Sequence, residues 1–262
     1  MAGKGDLPVL FAKAVNSLKK RLVVIGIEGL TDRRVEDLAE KVHYVRLGEV
    51  ASLPEFLKSS GIKQVVLAGG IPKKEIYRPE FTLDSSAQGF MNRIPNRGDD
   101  HLLRAFQVFL KIECGVSVLD SRFFLKELLA KKGVMGGSAP SPSQWKDLGF
   151  GFGIAKGIGK MDIGQTVVVK QGIVLAVEAL EGTDAAIRRG GELGLTEVVV
   201  VKVSKPNQDL RFDLPCIGPE TLESLKEAGA SAVGVEADKT IMLFKDRLIE
   251  EADKAGIVLV GL

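Results

Sequence analysis

The chain has 262 residues, room for one large domain or two small ones. Its 36 Lys and Arg against 34 Asp and Glu leave a formal charge of +2, without the basic excess that nucleic-acid binding needs, and 45% hydrophobic with 27% charged residues suits a globular core rather than long disorder. Two cysteines without C-x-x-C spacing and only two histidines exclude a structural zinc site; no 18-residue apolar run and no leader-like start argue against a membrane span or export and for the reducing cytoplasm.

In chain order, apolar residues at Leu7, Leu10, Phe11, Ala14, Val15 and Leu18 predict a helix over 7–20. The run 21–27 reads as a strand buried on both faces. Thr31 and Asp32 cap a helix through Lys41, and 43–47 is a second strand. Ser52 caps a helix with Pro54 in its first turn. A third strand over 63–70 ends in Gly69 and Gly70. Asp99 and Asp100 head a long amphipathic helix to Glu113, followed by a strand at 116–119 and a helix at 120–130. Such alternation predicts a parallel sheet covered by helices.

The composition turns rich in Gly, Pro and Ser after Lys131, which predicts a linker over 133–149 or a long active-site loop. Beyond it, 165–170 and 173–178 flank Gln171-Gly172 and read as a β-hairpin. A helix follows Gly182-Thr183-Asp184, then a central strand at 197–202, a helix from Gly218-Pro219 to Ala228, short strands at 233–235 and 241–244, a helix at 245–255 and a last strand at 257–260. Paired strands with crossover helices predict a mixed sheet. The glycines of 149–160 suit a closely packed helix or hinge, or the wall of an apolar channel.

The densest polar cluster lies directly after an apolar strand, at 202–215: Lys202, Lys205, Asn207, Gln208, Asp209, Arg211 and Asp213, bounded by prolines. Ligands of α/β folds bind beyond the carboxyl ends of strands. Lys and Arg suit phosphate oxygens, and Asp209 with Asp213 suits Mg²⁺, which needs few carboxylates when phosphates complete its shell. The plainer alternative is a solvated turn with surface ion pairs. A second cluster joins Glu178 and Glu181 to the helix start at Thr183: carboxylates able to ligate metal or activate water beside backbone N–H donors that suit an anion, or simply a capped helix. Gly3-x-Gly5-x-x-Pro8 resembles a phosphate turn without the buried strand that should feed it. Gly69-Gly70 allows close approach to a ligand, and Asp99 and Asp100 sit at a helix start, where capping is the competing role. His43, His101, Cys114 and Cys216 read as structural or surface residues. The patterns of serine hydrolases and P-loop NTPases are absent.

Two long strings, 162–184 (DIGQTVVVKQGIVLAVEALEGTD) and 205–221 (KPNQDLRFDLPCIGPET), with GKGDLP, VVLAGGIPK, GDDHLL, Leu119-Asp120 and the closing Ala252-Asp253 and Gly256, resemble the UDP-2,3-diacylglucosamine pyrophosphatases of the bacterial lipid A pathway over nearly the whole chain. One departure is the short apolar strand that members carry before the glycine turn. The resemblance implies an α/β fold of two domains, a Rossmann-like parallel sheet over 1–132 and a mixed α/β domain over 150–262, joined by the linker 133–149, with the lipid held between them. It implies a metal-dependent hydrolase, with Mg²⁺ or Mn²⁺, that cleaves UDP-2,3-diacylglucosamine to 2,3-diacylglucosamine 1-phosphate (lipid X) and UMP. It further implies a cytoplasmic homodimer that meets its substrate at the inner membrane.

On that reading Asp213 and Asp209 hold the metal, or the water through it. Lys202, Lys205, Gln208 and Arg211 bind phosphate oxygens, Thr183 donates to a phosphate, and Glu178 and Glu181 are acid–base candidates. Gly69, Gly70, Asp99 and Asp100 contact substrate, and the 149–159 stretch and the apolar face of the domain interface are the candidates to host the acyl chains. Two alternatives stay open: a non-catalytic nucleotide or lipid sensor, and a hydrolase of a soluble nucleotide sugar.

Overall fold

In the computed structural model, which describes residues 1–92, 99–211 and 213–262 and only the backbone of Lys73, Asp99 and Asp100, the chain divides into two units. One comprises Met1–Leu125 with Asp209–Asp213, the other Lys126–Gln208 with Leu214–Leu262.

The first unit runs α1 (Leu7–Ser17), β1 (Val23–Ile27), β2 (Lys41–Val45), α2 (Leu53–Ser59), β3 (Gln64–Val65), α3 (Ser85–Met91), α4 (Asp99–Ile112), β4 (Ser117–Val118) and α5 (Arg122–Leu125). β1 pairs in parallel with β2, and β3 with β4. The strand that the sequence pattern lacks is supplied by the first four residues. Ala2 bridges Gly26 on one side and Ala68 on the other, its N–H donating to Ile25 and that of Gly3 to Ala68. The order across the unit is therefore β2, β1, 1–4, β3, β4. That is the doubly wound order in which connections run outward in both directions from the first strand. Ile25, Leu53, Leu57, Val65, Leu110 and Val116 fill its core.

Local detail departs from the periodicity in three places. The helix expected from Thr31 to Lys41 is a 3-10 turn, Arg33–Leu38, because Lys41 is already paired with Val23 in the sheet. Asp32 caps it by accepting from the Arg34 N–H. Ser52 makes no cap; its hydroxyl meets His43 Nε2 at 3.1 Å, and the His43 ring stacks on Phe56. After α5 the chain tightens into a 3-10 turn, Lys126–Leu128, and Ala130 N–H donates to Thr240.

The second unit runs β5 (Gly133–Val134), α6 (Pro142–Lys160), β6 (Thr166–Lys170), β7 (Ile173–Val177), α7 (Thr183–Gly194), β8 (Val198–Lys202), β9 (Cys216–Ile217), α8 (Pro219–Glu227), β10 (Ala230–Val235), β11 (Ile241–Met242), α9 (Lys245–Lys254) and β12 (Val258–Gly261). Its six-stranded sheet has the order β5-β12-β10-β8-β6-β7. β12, β10 and β8 are parallel; β5, and β6 against both β8 and β7, pair antiparallel. Strand alternation explains the two cores. Val167, Val169, Val199 and Val201 face Leu148, Ala155 and Ile158 of α6, while Val168, Val198 and Val200 face Ile187, Leu222 and Leu225 of α7 and α8.

The stretch 133–149 is therefore more than a connector. Gly133–Val134 extends the sheet beside β12, and Ser141 caps α6 in a capping box with Gln144. Its Gly, Pro and Ser content reflects turn and cap chemistry, which composition alone does not separate from a linker. Residues 209–213, within the span read as a C-terminal domain, group with the first unit.

Glycine sets the spacing of α7. A Cβ on Gly191 would lie 2.4 Å from Ala228 Cα and 2.5 Å from Ala228 Cβ. Gly191→Ala should cost about 1–3 kcal/mol through overpacking, seen as a lower denaturant midpoint, despite the better helix propensity of alanine.

Candidate active site

The carboxyl ends of β8 and β10, the start of β6 and the end of β7 all lie on one edge of the six-stranded sheet. Polar residues collect there. Lys202, buried at the end of β8, donates from Nζ to Thr183 Oγ1 at 2.9 Å and to the Cys216 carbonyl at 2.7 Å. Thr183 in turn donates to Glu178 Oε1 at 3.0 Å, and Gln165 N–H donates to Glu178 Oε2 at 3.2 Å. A chain Lys202–Thr183–Glu178 results. It occupies the threonine hydroxyl proton, so the donors that α7 offers an anion are its first backbone N–H groups, beyond Gly182. An ammonium has three protons, and Lys202 spends two on these partners.

Glu181 does not join this group. It pairs with Arg189 at 2.7 Å on the exposed rim. Burial works to raise its carboxyl, but the Arg189 hydrogen bond and charge together with backbone hydrogen bonds outweigh it and leave Glu181 below the usual range. Lys205 is buried, with its ammonium on Asp162 and its N–H on Gln208 Oε1 at 2.9 Å. Two buried amide atoms, Gln208 Nε2 and Gln165 Oε1, have no hydrogen-bond partner among the described residues. Buried polar atoms are seldom left so, and an unmet donor beside lysines suits an anionic ligand.

The same edge holds a group that the sequence reading missed. Glu236, directly after β10, accepts from Lys156 Nζ at 2.6 Å, Ser204 N–H at 2.8 Å, Ser204 Oγ at 2.7 Å and Lys239 Nζ at 2.8 Å. Burial works to raise its carboxyl, but the Lys156, Lys239 and Ser204 hydrogen bonds prevail and hold it at about 2. Lys156 also donates to the Ser204 carbonyl at 2.8 Å, so the ion pair anchors the backbone between Lys202 and Lys205. The signal available in the sequence was a charged residue immediately after an apolar strand.

In the first unit, the corresponding edge carries Gly3, Gly69, Asp120 and the visiting segment Asp209–Asp213. Asp120–Arg122 and Asp209–Arg211 are twin Asp-x-Arg clasps, linked by Ser121 N–H donating to the Arg211 carbonyl at 2.8 Å. The Arg211 hydrogen bond holds the Asp209 carboxyl below its ordinary value, with Arg104 adding to the effect. Asp213 is half-buried, and its N–H donates to the Asp209 carbonyl at 3.1 Å. Thus the polar stretch 202–215 is divided: Lys202, Lys205 and Gln208 belong to one unit, Asp209, Arg211 and Asp213 to the other. At the glycine turns, a Cβ on Gly3 would lie 2.6 Å from the Gly70 carbonyl oxygen, and one on Gly69, at φ +85°, 2.7 Å from that of Lys4. Arg97 and Gly98 lie outside the described residues, as do the side chains of Asp99 and Asp100.

The family model described as the LpxI N-terminal domain matches residues 1–128, and that of the LpxI C-terminal domain matches residues 131–260. The chain belongs to the LpxI family. A curated relative from Caulobacter vibrioides, named UDP-2,3-diacylglucosamine pyrophosphatase LpxI, is 31% identical over 277 aligned positions, covering 100% of this chain and 96% of its own. The family resemblance read from residues 162–184 and 205–221 is thereby established, as is a mixed α/β chain with two family domains.

For an LpxI-family chain the question of metal falls on Asp209 and Asp213. Among the described residues, no group of three His, Cys, Asp or Glu side chains is placed to hold a metal ion. Mg²⁺ bound by one or two carboxylates and substrate phosphates needs no such group. Asp213, a half-buried carboxylate, has the chemistry for that pattern. Asp209 fits it once Arg211, which now takes both its oxygens, turns to phosphate. His101 is exposed in the first turn of α4, and Cys114 is buried, its thiol pushed up to about 11 by burial, with Glu113 adding. So high a thiol does not suit acid–base work near neutral pH. No helix among the described residues is long and apolar enough to cross a membrane.

Proposed function

We propose that this protein hydrolyses the pyrophosphate bond of UDP-2,3-diacylglucosamine, giving 2,3-diacylglucosamine 1-phosphate and UMP. The observation that carries the reading is the match along the full chain to the Caulobacter vibrioides pyrophosphatase. In the reaction a water oxygen bonds to one phosphorus, the bond from that phosphorus to the bridging oxygen breaks, and the bridging oxygen leaves with the other phosphate. Catalysis of such a step is mostly positioning and charge neutralisation.

The residues support those tasks. Lys202 has one proton left for a phosphate oxygen, Gln208 an unmet amide donor, and α7 its first N–H groups. Arg211 and Lys205 add cations, and Gly70, where a Cβ would meet nothing within 4 Å, leaves its backbone open to phosphate. Asp213, with Asp209, would hold Mg²⁺ or Mn²⁺, which would supply positive charge to the phosphoryl oxygens. Glu178, fixed by Thr183 and Gln165, orients the water, while Glu181, paired with Arg189 on the rim, is left out of that role. Asp99 and Asp100 complete the substrate contacts. The acyl chains lie on the face of α6 where Gly149, Gly153 and Gly157 meet open space. We further propose a cytoplasmic homodimer working against the inner-membrane surface.

Purified protein with Mg²⁺ or Mn²⁺ should release UMP from UDP-2,3-diacylglucosamine, and from UDP-GlcNAc at least tenfold more slowly, because each buried CH₂ contributes about 0.8 kcal/mol. No UMP from the acylated compound would leave only a sensor; equal rates would leave a soluble nucleotide sugar as substrate.

A further inference from the structure

We infer that the cavity at the carboxyl end of β1 and β2 is a nucleoside pocket, in which Glu28 accepts hydrogen bonds from the ribose hydroxyls and Tyr44 forms the wall beside the base. The inference rests on the pyrophosphatase reading above and assigns the nucleoside end of that substrate.

Topology locates the pocket. Bridges from Ala2 to Gly26 and to Ala68 set the first residues between β1 and the chain beyond β3, so β1 stands second in a doubly wound order, and Gly5, at φ +96°, turns the chain after the first segment. In such sheets a ligand lies beyond the carboxyl ends, with phosphate near the first turn and an acidic residue after the second strand receiving ribose hydroxyls. Glu28 directly follows β1, and its N–H donates to the Val45 carbonyl at 2.9 Å, which fixes its place in the rim.

The cavity, about 460 Å³ and open to solvent on the side of Glu28, Gly29 and Arg33, is lined by those residues with Thr31 and Tyr44. Its wall is preorganised. A Cβ on Gly26 would lie 2.6 Å from Tyr44 Cε1, so the absence of a side chain there lets the ring lie against the β1 backbone. The Tyr44 hydroxyl donates to Glu36 at 2.8 Å, and the Arg33 guanidinium stands 5.5 Å from the ring centre. Thr31 Oγ1 accepts from Ile27 N–H and donates to the Ala2 carbonyl, tying the pocket floor to the first strand.

Charge selects the group that docks. A carboxylate accepts hydrogen bonds and repels phosphate, so Glu28 suits vicinal hydroxyls. Its ion pair with Arg46 is loose, 3.5 Å, and both side chains are more than half exposed. Such pairs contribute little, so recruiting Glu28 to a ligand costs little.

The test compares UMP with 2′-deoxy-UMP binding to the full chain by calorimetry. Hydrogen bonds to a charged group are strong enough that the wild type should prefer UMP by about tenfold or more. Glu28→Gln, an exposed substitution, should shrink that preference to within about threefold. Equal affinity for the two nucleotides in the wild type, no UMP binding at millimolar concentration, or full discrimination in Glu28→Gln each overturns the assignment. Binding needs no turnover. Ribose discrimination without UMP release from the diacylated compound would sink the pyrophosphatase reading alone, and turnover without discrimination would sink the pocket alone.

Discussion

Glu236→Ala is expected to destabilise the protein by about 3–5 kcal/mol, read as a fall in denaturant midpoint. The carboxylate accepts four hydrogen bonds, two from ammonium groups, and is 6% exposed. Removing it leaves Lys156 beside the Ser204 carbonyl with its charge uncompensated, and Ser204 N–H and Oγ without their acceptor. Glu236→Gln keeps the shape and should lose less. The same group gives a pH signature. Its native ionisation lies near 2 against an ordinary value of 4.5. The unfolded chain therefore binds more protons between those limits, so the contribution is full above about pH 4.5 and drains away as pH falls towards 2. Its size is about 3 kcal/mol. Acid titration of stability should show this loss in the wild type and a flatter profile in Glu236→Gln. Identical profiles would mean that the carboxylate is not held as the geometry indicates.

What the sequence could and could not reveal follows from the range of the interactions. The hairpin at 171–172 was legible because a two-residue turn demands left-handed backbone; Gln171 and Gly172 adopt φ +51° and +75°. The buried strand 198–202 was legible because four valines in a row suit a sheet covered on both faces. Lys202 and Glu178 were legible as strand-end residues, and Thr183 joins them in one hydrogen-bonded chain. Glu236 was not, since its partner Lys156 lies 80 residues away and only the packing of α6 on the sheet joins them. The role of residues 1–4 was hidden for a related reason: too short to show periodicity, they become a strand only by lying between β1 and β3. The division of the 202–215 loop was equally invisible, because its polar residues look continuous until Ser121 takes hold of Arg211.

Asp213→Asn is expected to lower UMP release by about 10²–10⁴-fold, the range for removing a positioned acid–base or charge-stabilising group. Asparagine preserves size, and the turn that presents the residue is made by backbone, with Asp213 N–H donating to the Asp209 carbonyl. Loss of activity in a variant with an unchanged melting curve therefore reports the carboxylate and not the fold. Asp209→Asn should lose less activity. Arg211 takes both Asp209 oxygens in the structure, so Asp209 would serve a metal only after Arg211 turns away, and Asp213 remains the first carboxylate of the proposed pair. Wild-type turnover by Asp213→Asn would remove that residue from the mechanism. The order of the two variants carries the further information. If Asp209→Asn proved the more damaging, the clasp with Arg211, rather than the carboxylate one turn later, would be what the reaction depends on. Partial recovery of Asp213→Asn by raised Mn²⁺ would mark the lost group as a metal ligand, and no recovery would mark it as an acid–base group.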